Sequence, residues 1–480
     1  MDERRVKETK EERLVLGICM FVAELSIKEE RMKKMALGLI AVSLTMGIPA
    51  AMAQEVPQPT PPVYNCDFEP ACEVAPGIYG AMVTPAKSKF NLSIGGFVKL
   101  DYAYNSVDLG PSGGLTPSSG AIPKSSSAEG QRDQSILTAR QSRFWLKVAG
   151  PPLLGGKTNG LIEVDFYGDP AAASESPQLR MRQAWGSMDW ANTQVLFGQA
   201  YDIFGPMIAS TIDFRSGSPF GTPNNPRVPQ IRLTQKVNLN ADNSLKLVFG
   251  VQDPNQNGNN NNASGATFGN MVNTAGQAMF VSKALGVAPG YFGMPMNSLT
   301  AGFFGLYGYE KVRASGRTVD SYGYGLYTFV PILKSKDGKN RAMTLSFEGQ
   351  AYQAANMAFN AATAGTTVGT AGNETAAKGY GLAGQAIFYP TQNLGITAGY
   401  GRRNAYNNAS YSGISNFQKS SSELYANVAY DLNAAIRVAV EYQNLNTKYG
   451  NVTSATTAGL GGTAGTGSAN VARLAAFYFF

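Results

Sequence analysis

The chain has 480 residues, 15% of them charged, with 54 glycines, 23 tyrosines, 24 phenylalanines and a formal net charge of +7. It contains no histidine, which removes the commonest general base, the Ser-His-Asp and Cys-His nucleophile systems and any imidazole metal site, so the composition argues against an enzyme and against a bound metal or cofactor. Beyond residue 53 there is no run of eighteen apolar residues, which excludes helical membrane spans there.

In chain order, Met32, Lys33 and Lys34 form a short basic end, Met35 to Pro49 form an apolar stretch too brief to span, and the small residues Ala51 and Ala53 precede Gln54. This pattern predicts a secretory signal peptide over 32–53, cleaved between Ala53 and Gln54. Residues 1–31, charged and only weakly amphipathic, then have no structural role and read as a misplaced start upstream of Met32. Removing residues 1–53 takes away nine basic and eight acidic residues and leaves a mature net charge of +6. Of the three cysteines, Cys66 and Cys72 remain as an even pair in an oxidising compartment, which predicts a small disulfide loop. They lie in a proline-rich leader over 54–89.

From Phe90 the period becomes two. Leu92, Ile94, Val98, Leu100, Tyr102 and Tyr104 fall on one face, with Ser93, Lys99, Asp101 and Asn105 on the other. Strands of this kind recur near residues 90, 136, 158, 178, 193, 228, 244, 277, 299, 319, 341, 378, 394, 422, 435 and 470. The one near 277 is weak, and it is accepted because single-chain bacterial barrels use even strand numbers. Residues 90–480 are therefore expected to form an all-β transmembrane antiparallel barrel of about 16 strands. Connections alternate between short ones, such as Asp189 to Thr193 and Leu432 to Ala435, and long ones, such as Asp202 to Asn225 and Ala354 to Ala377. Short periplasmic turns and long outer loops have this asymmetry.

Gly379, Gly381 and Gly384 match Gly-x-Gly-x-x-Gly, and Gly150 to Thr158 is one residue too long for a P-loop. Neither sits in a βαβ unit, so no nucleotide site and no nucleic-acid partner are expected. The chain ends in Phe477, Tyr478, Phe479 and Phe480, and Tyr478 and Phe480 read as a terminal-strand signal for the barrel-assembly machinery.

A sixteen-strand barrel leaves an aqueous channel, so the inner side chains decide what passes. Parity places Arg143 and Lys147 inside on the second strand, Glu163 and Asp165 on the third, Arg180 and Arg182 on the fourth, Arg232 on the sixth and Lys246 on the seventh. Arg140, just before the second-strand set, is counted with them as pore-lining. Two readings stay open: a cationic ladder for solutes, or a salt-bridged wall. If the lumen is wet, screening predicts that Arg143→Ala with Arg180→Ala weakens anion preference with little effect on stability. The third outer loop carries Asp202, Asp213 and Arg215 and an apolar run from Ile208 to Phe214. It is expected either to fold inward, with Asp213 and Arg215 flanking a constriction, or to cap a contact between subunits.

The runs Arg140-Gln-Ser-Arg-Phe144, Glu163-Val-Asp-Phe-Tyr-Gly168, Leu179-Arg-Met-Arg-Gln-Ala-Trp-Gly186, Gly198-Gln199 and Pro229-Gln-Ile-Arg232 resemble the DcaP-like porins. The resemblance covers about residues 90 to 236. It implies a homotrimeric outer-membrane channel for small organic anions such as dicarboxylates, with membrane lipid and lipopolysaccharide around it. The expected function is passive diffusion of small hydrophilic solutes with a mild preference for anions. The competing expectation is a closed structural or adhesive barrel whose outer loops are the working surface.

Overall fold

The computed structural model describes residues 90–110, 121–168, 177–214, 219–223, 227–254, 267–269, 271–357, 367–368, 372–406, 415–451 and 462–480. The leader with Cys66 and Cys72, the Ala53–Gln54 junction and Arg215 lie outside these residues. Strand β1 is Asn91–Asn105, and β2 is broken into Gln134–Thr138 and Arg143–Leu153. There follow β3 Gly156–Asp165, β4 Arg180–Asp189, β5 Thr193–Tyr201, β6 Arg227–Asn238, β7 Asn243–Gln252, β8 Asn273–Pro289 and β9 Met296–Val312. The last seven are β10 Thr318–Leu333, β11 Thr344–Ala355, β12 Lys378–Tyr389, β13 Leu394–Ala405, β14 Ser415–Asp431, β15 Ile436–Asn451 and β16 Gly462–Phe479.

Each strand pairs antiparallel with the next, and β16 returns to β1 with Asp101 opposite Ala475 and Phe97 opposite Phe479. The sheet is closed at sixteen strands. Closure is what lets a β-sheet sit in hydrocarbon, because it leaves no edge with unpaired N–H and C=O groups. Among the described residues the only helical segments are two 3-10 turns, at Glu129–Gln131 and Tyr291–Gly293.

The period of two sorts side chains as in a membrane barrel. Ile94, Val98, Phe144, Ile162, Phe197, Ile231, Phe303, Leu326, Val440 and Leu474 all point outward and are exposed, Phe303 at 68%. An apolar belt of this extent has no place in water and is covered by lipid. Tyrosines flank it: Tyr104, Tyr307, Tyr324 and Tyr442 toward the long loops, Tyr430 and Tyr478 toward the short turns. These are the interfacial girdles expected of an amphipathic ring at the headgroup level.

The weak strand near residue 277 is β8, seventeen residues long. Its alternation is faint because part of its inner face is apolar. Ala275 and Met279, which alternate with the polar Asn273 and Gln277, pack inside against Ile203 and Phe204, which arrive from the loop after β5.

Candidate functional site

The interior is organised by the loop between β5 and β6, which leaves the rim and crosses the lumen. Phe204, Met207, Ser210, Ile212, Asp213 and Phe220 are completely buried within the barrel. The apolar side chains of Ile208 to Phe214 drive this inward fold, and the backbone must then find hydrogen bonds, since irregular chain at membrane depth persists only when its N–H and C=O groups are satisfied. The opposite wall supplies them. Met207 N–H donates to Gln350 Oε1 at 3.3 Å, Ser210 N–H to Gln385 Oε1 at 3.0 Å, Ile212 N–H to Glu441 Oε2 at 2.7 Å and Phe220 N–H to Glu423 Oε2 at 3.1 Å. Asn427 Nδ2 donates to Ser210 O at 2.6 Å, and Gln277 Nε2 to Ile203 O at 2.6 Å.

The three acidic and basic residues singled out on this loop are placed differently from one another. Asp202 sits at its base, where Oδ1 accepts from Phe204 N–H at 3.0 Å and Gln252 Nε2 at 2.6 Å. Asp213 is completely buried, its carbonyl accepting from Gln141 Nε2 and its carboxylate from Gln443 Nε2 at 3.5 Å. Arg215 lies outside the described residues.

The return limb lies flat on β12 and β13. Gly221 has a φ of +105°, and a Cβ there would come within 2.4 Å of both Leu382 O and Arg402 O. On the wall, a Cβ at Gly401 would meet Phe220 O at 2.3 Å. Only glycine allows this approach. Gly221→Ala is expected to lower barrel stability by about 1–3 kcal/mol through overpacking and a strained φ. An unchanged urea midpoint in lipid vesicles would show that the limb lifts off its seat freely.

The inward residues of β2 to β4 form an ion network. Glu163 accepts from Arg143 Nη1 at 3.2 Å, Arg182 Nε at 2.8 Å and Gln183 Nε2 at 2.6 Å. Asp165 takes Arg182 Nη1 at 3.0 Å and a bidentate contact from Arg180, at 2.9 and 2.5 Å. A bulge makes this possible. Glu163 faces Gln183 and Val164 faces Met181, so Arg182 is the extra residue on β4, and two consecutive side chains, Arg182 and Gln183, turn inward together.

Of the two readings for this wall, the geometry is that of the salt-bridged one for Arg143 and Arg182, both only 4% exposed at the side chain. Arg180, at 38%, also keeps contact with solvent. The expectation that Arg143→Ala with Arg180→Ala leaves stability nearly untouched is therefore revised: Arg143 is buried against Glu163, and truncating it leaves a buried charge short of a partner.

The remaining inward cations are held by neighbours. Arg140 is buried with its guanidinium 4.5 Å from the Tyr167 ring centroid, and its Nε donates to Phe166 O at 3.4 Å. Lys147 lies over the Trp145 ring at 4.1 Å. Arg232 is buried on β6, and Lys246 stands opposite Lys236 in the β6–β7 register, both partly exposed. Lys236 is absent from the sequence reading, although the parity of Arg232 and Thr234 points to it. The same parity would have found Arg473 on the β1–β16 seam, beside the Lys99 and Asp101 already read on the polar face, where Lys99 Nζ lies 2.9 Å from Asp101.

A second segment enters from the turn end. The connection between β8 and β9 folds inward at Tyr291 and Phe292, and Phe292 N–H donates to Ser210 Oγ at 3.2 Å. Phe214 of the crossing loop completes the contact, its ring centroid 6.0 Å from Phe292, 5.9 Å from Phe97 and 5.9 Å from Phe477. Tyr478 and Phe480 point outward while Phe477 and Phe479 point into this cluster.

No family model matches the chain, and no curated protein matches it. Solved structures do. The crystal structure of the outer membrane channel DcaP of Acinetobacter baumannii superimposes with a TM-score of 0.62 at 18% identity, over 83% of this chain and 99% of that one. An anion-selective porin from Comamonas acidovorans gives a TM-score of 0.49 at 11% identity, over 82% and 100%. OmpT of Vibrio cholerae gives 0.47 at 12% identity, over 83% and 100%. The chain thus has the closed outer-membrane β-barrel fold of the DcaP channel.

Proposed function

We propose that this chain is a passive outer-membrane channel for small hydrophilic solutes, mildly selective for anions such as small organic acids, and that it works as a homotrimer. The observation that carries the reading is a sixteen-stranded barrel with a polar, charge-bearing inner wall and one loop folded across the lumen. A barrel of this size exceeds what its own side chains fill, and an inward loop then sets the bore. Among the half-buried inward charges Arg180, Lys236 and Lys246 support the sign, while the acidic Asp189 and Asp431 are engaged by Asn159 and Gln194 and by Arg341 and Arg437 respectively. The secretory signal ending at Ala53, a Cys66–Cys72 disulfide, Tyr478 and Phe480 as the assembly signal, and a surround of lipid and lipopolysaccharide belong to the same reading.

One observation favours a second reading, a closed structural barrel. On β11 to β16 the inward polar side chains, among them Gln350, Gln385, Glu423 and Gln443, are buried almost completely. Planar-bilayer recording separates the two. Discrete conductance steps, with a reversal potential of anion-preferring sign in a KCl gradient, are the expected result, and proteoliposomes are expected to swell in small sugars. A folded protein giving neither steps nor swelling would reject the channel.

A further inference from the structure

The burial of inward side chains is uneven around the barrel, and the unevenness locates a route. On the side of β1 and β14 to β16, Phe97, Phe214, Tyr291, Phe292, Phe477 and Phe479 form one aromatic mass with a residual void of about 20 Å³, room for about one water molecule. Cations brace it from behind: Lys99 Nζ is 4.3 Å from the Phe214 centroid, and the Arg437 guanidinium 5.6 Å from that of Phe479. Because Phe292 is bonded to Ser210 at the middle of the crossing loop, the loop and the turn meet inside the barrel and close this half of its cross-section.

The other half differs. Inward positions that keep partial access to solvent include Arg180, Trp185 and Asp189 on β4, Lys236 on β6, Lys246 on β7, Gln277 on β8 and Tyr327 on β10. Ala275, Met279, Phe304 and Leu306, in contrast, are covered by Ile203 and Phe204 of the crossing loop. Lys236 and Lys246 lie near the turn end and stand directly opposite each other. Like charges so placed cost stability, and in a low-dielectric bore they concentrate a positive potential that attracts anions. The Arg143 and Arg182 guanidiniums are buried against Glu163 and Asp165.

Resting on the channel reading above, we infer that solutes travel along β4 to β10 and that Lys236 and Lys246, at the turn-end mouth of that route, are its specificity-determining residues. The buried arginine network is then scaffold. Carboxylates and other small anions leaving toward the turns meet this pair last, and cations are turned back by it.

The test is charge reversal in the full-length protein, with potassium chloride as the probe. Lys236→Glu with Lys246→Glu is expected to lower the chloride-to-potassium permeability ratio by about threefold or more. Lys236→Gln with Lys246→Gln should give a smaller shift of the same sign, and it serves if the reversed pair does not fold. A folded, conducting variant of either kind with an unchanged ratio overturns the assignment while leaving the channel intact. Absence of steps in the unmodified protein overturns the channel reading itself.

Discussion

Glu163→Ala is expected to destabilise the barrel by about 3–5 kcal/mol, more than any substitution on the lipid face. Glu163 is completely buried and is the acceptor for Arg143, Arg182 and Gln183. Its removal leaves Asp165 as the carboxylate among three guanidiniums, and that carboxylate is already engaged with Arg180 and Arg182. Desolvating a guanidinium is tolerable only when opposite charge and hydrogen bonds are close by, so the cost here is an unbalanced buried charge and not merely a lost contact. Urea unfolding in lipid vesicles, followed by tryptophan fluorescence, measures it, and Trp145 and Trp185 pack beside the network on Leu161. Glu163→Gln keeps the shape and one acceptor oxygen, so its loss should be smaller. A change below about 1 kcal/mol for the alanine variant would mean that water screens the network as it screens an exposed pair.

The contrast with the sequence-based expectation shows what alternation can and cannot resolve. Parity correctly sorts Ile94, Val98 and Leu100 from Ser93, Lys99 and Asp101, because a membrane and a polar lumen impose opposite demands on neighbouring residues. The strand count follows from the same signal plus loop lengths. Partners do not. Glu441 bonds Ile212, 229 positions away, and Gln385 bonds Ser210 at a separation of 175, so nothing local distinguishes a glutamate that seats a loop from one that faces a solute. Parity also fails across the β4 bulge, where it would send Gln183 and Trp185 to lipid after Met181. The extra residue at Arg182 reverses the phase, and Trp185 packs inside on Trp145 and Leu161 instead. The inward fold of the β5–β6 loop was half legible, from the unusual apolar run Ile208 to Phe214. The β8–β9 turn carried no such cue beyond the adjacent Tyr291 and Phe292.

Phe214→Ala combined with Phe292→Ala is expected to raise single-channel conductance at least about twofold, because the two rings meet at the centre of the aromatic closure and come from its two separate segments. Both residues hold left-handed backbone, φ 50° and 45°, a conformation that costs about 1–3 kcal/mol each and persists only where the surroundings enforce it. Here the enforcement is mutual. Phe214 stacks among Phe97, Tyr291 and Phe477, and Phe292 is pinned by its N–H to Ser210. Removing one ring leaves the other to fill part of the gap, so the double variant is the informative one. Loss of large buried rings costs up to about 3–5 kcal/mol at each site, with water in the opened bore offsetting some of it, so folding is checked first by the heat-dependent shift of the band in electrophoresis. With folding intact, conductance should rise and proteoliposomes should begin to admit sugars too large for the unmodified channel. The two readouts respond to different things: conductance to total cross-section, and the size limit to the widest single path. A rise in conductance with an unchanged size limit would place a second, parallel bore beside β1 and β16, whereas a rise in both would mean that the opened half merges with the β4 to β10 route. If neither changes in a folded double variant, the aromatic cluster is packing at the wall and closes nothing.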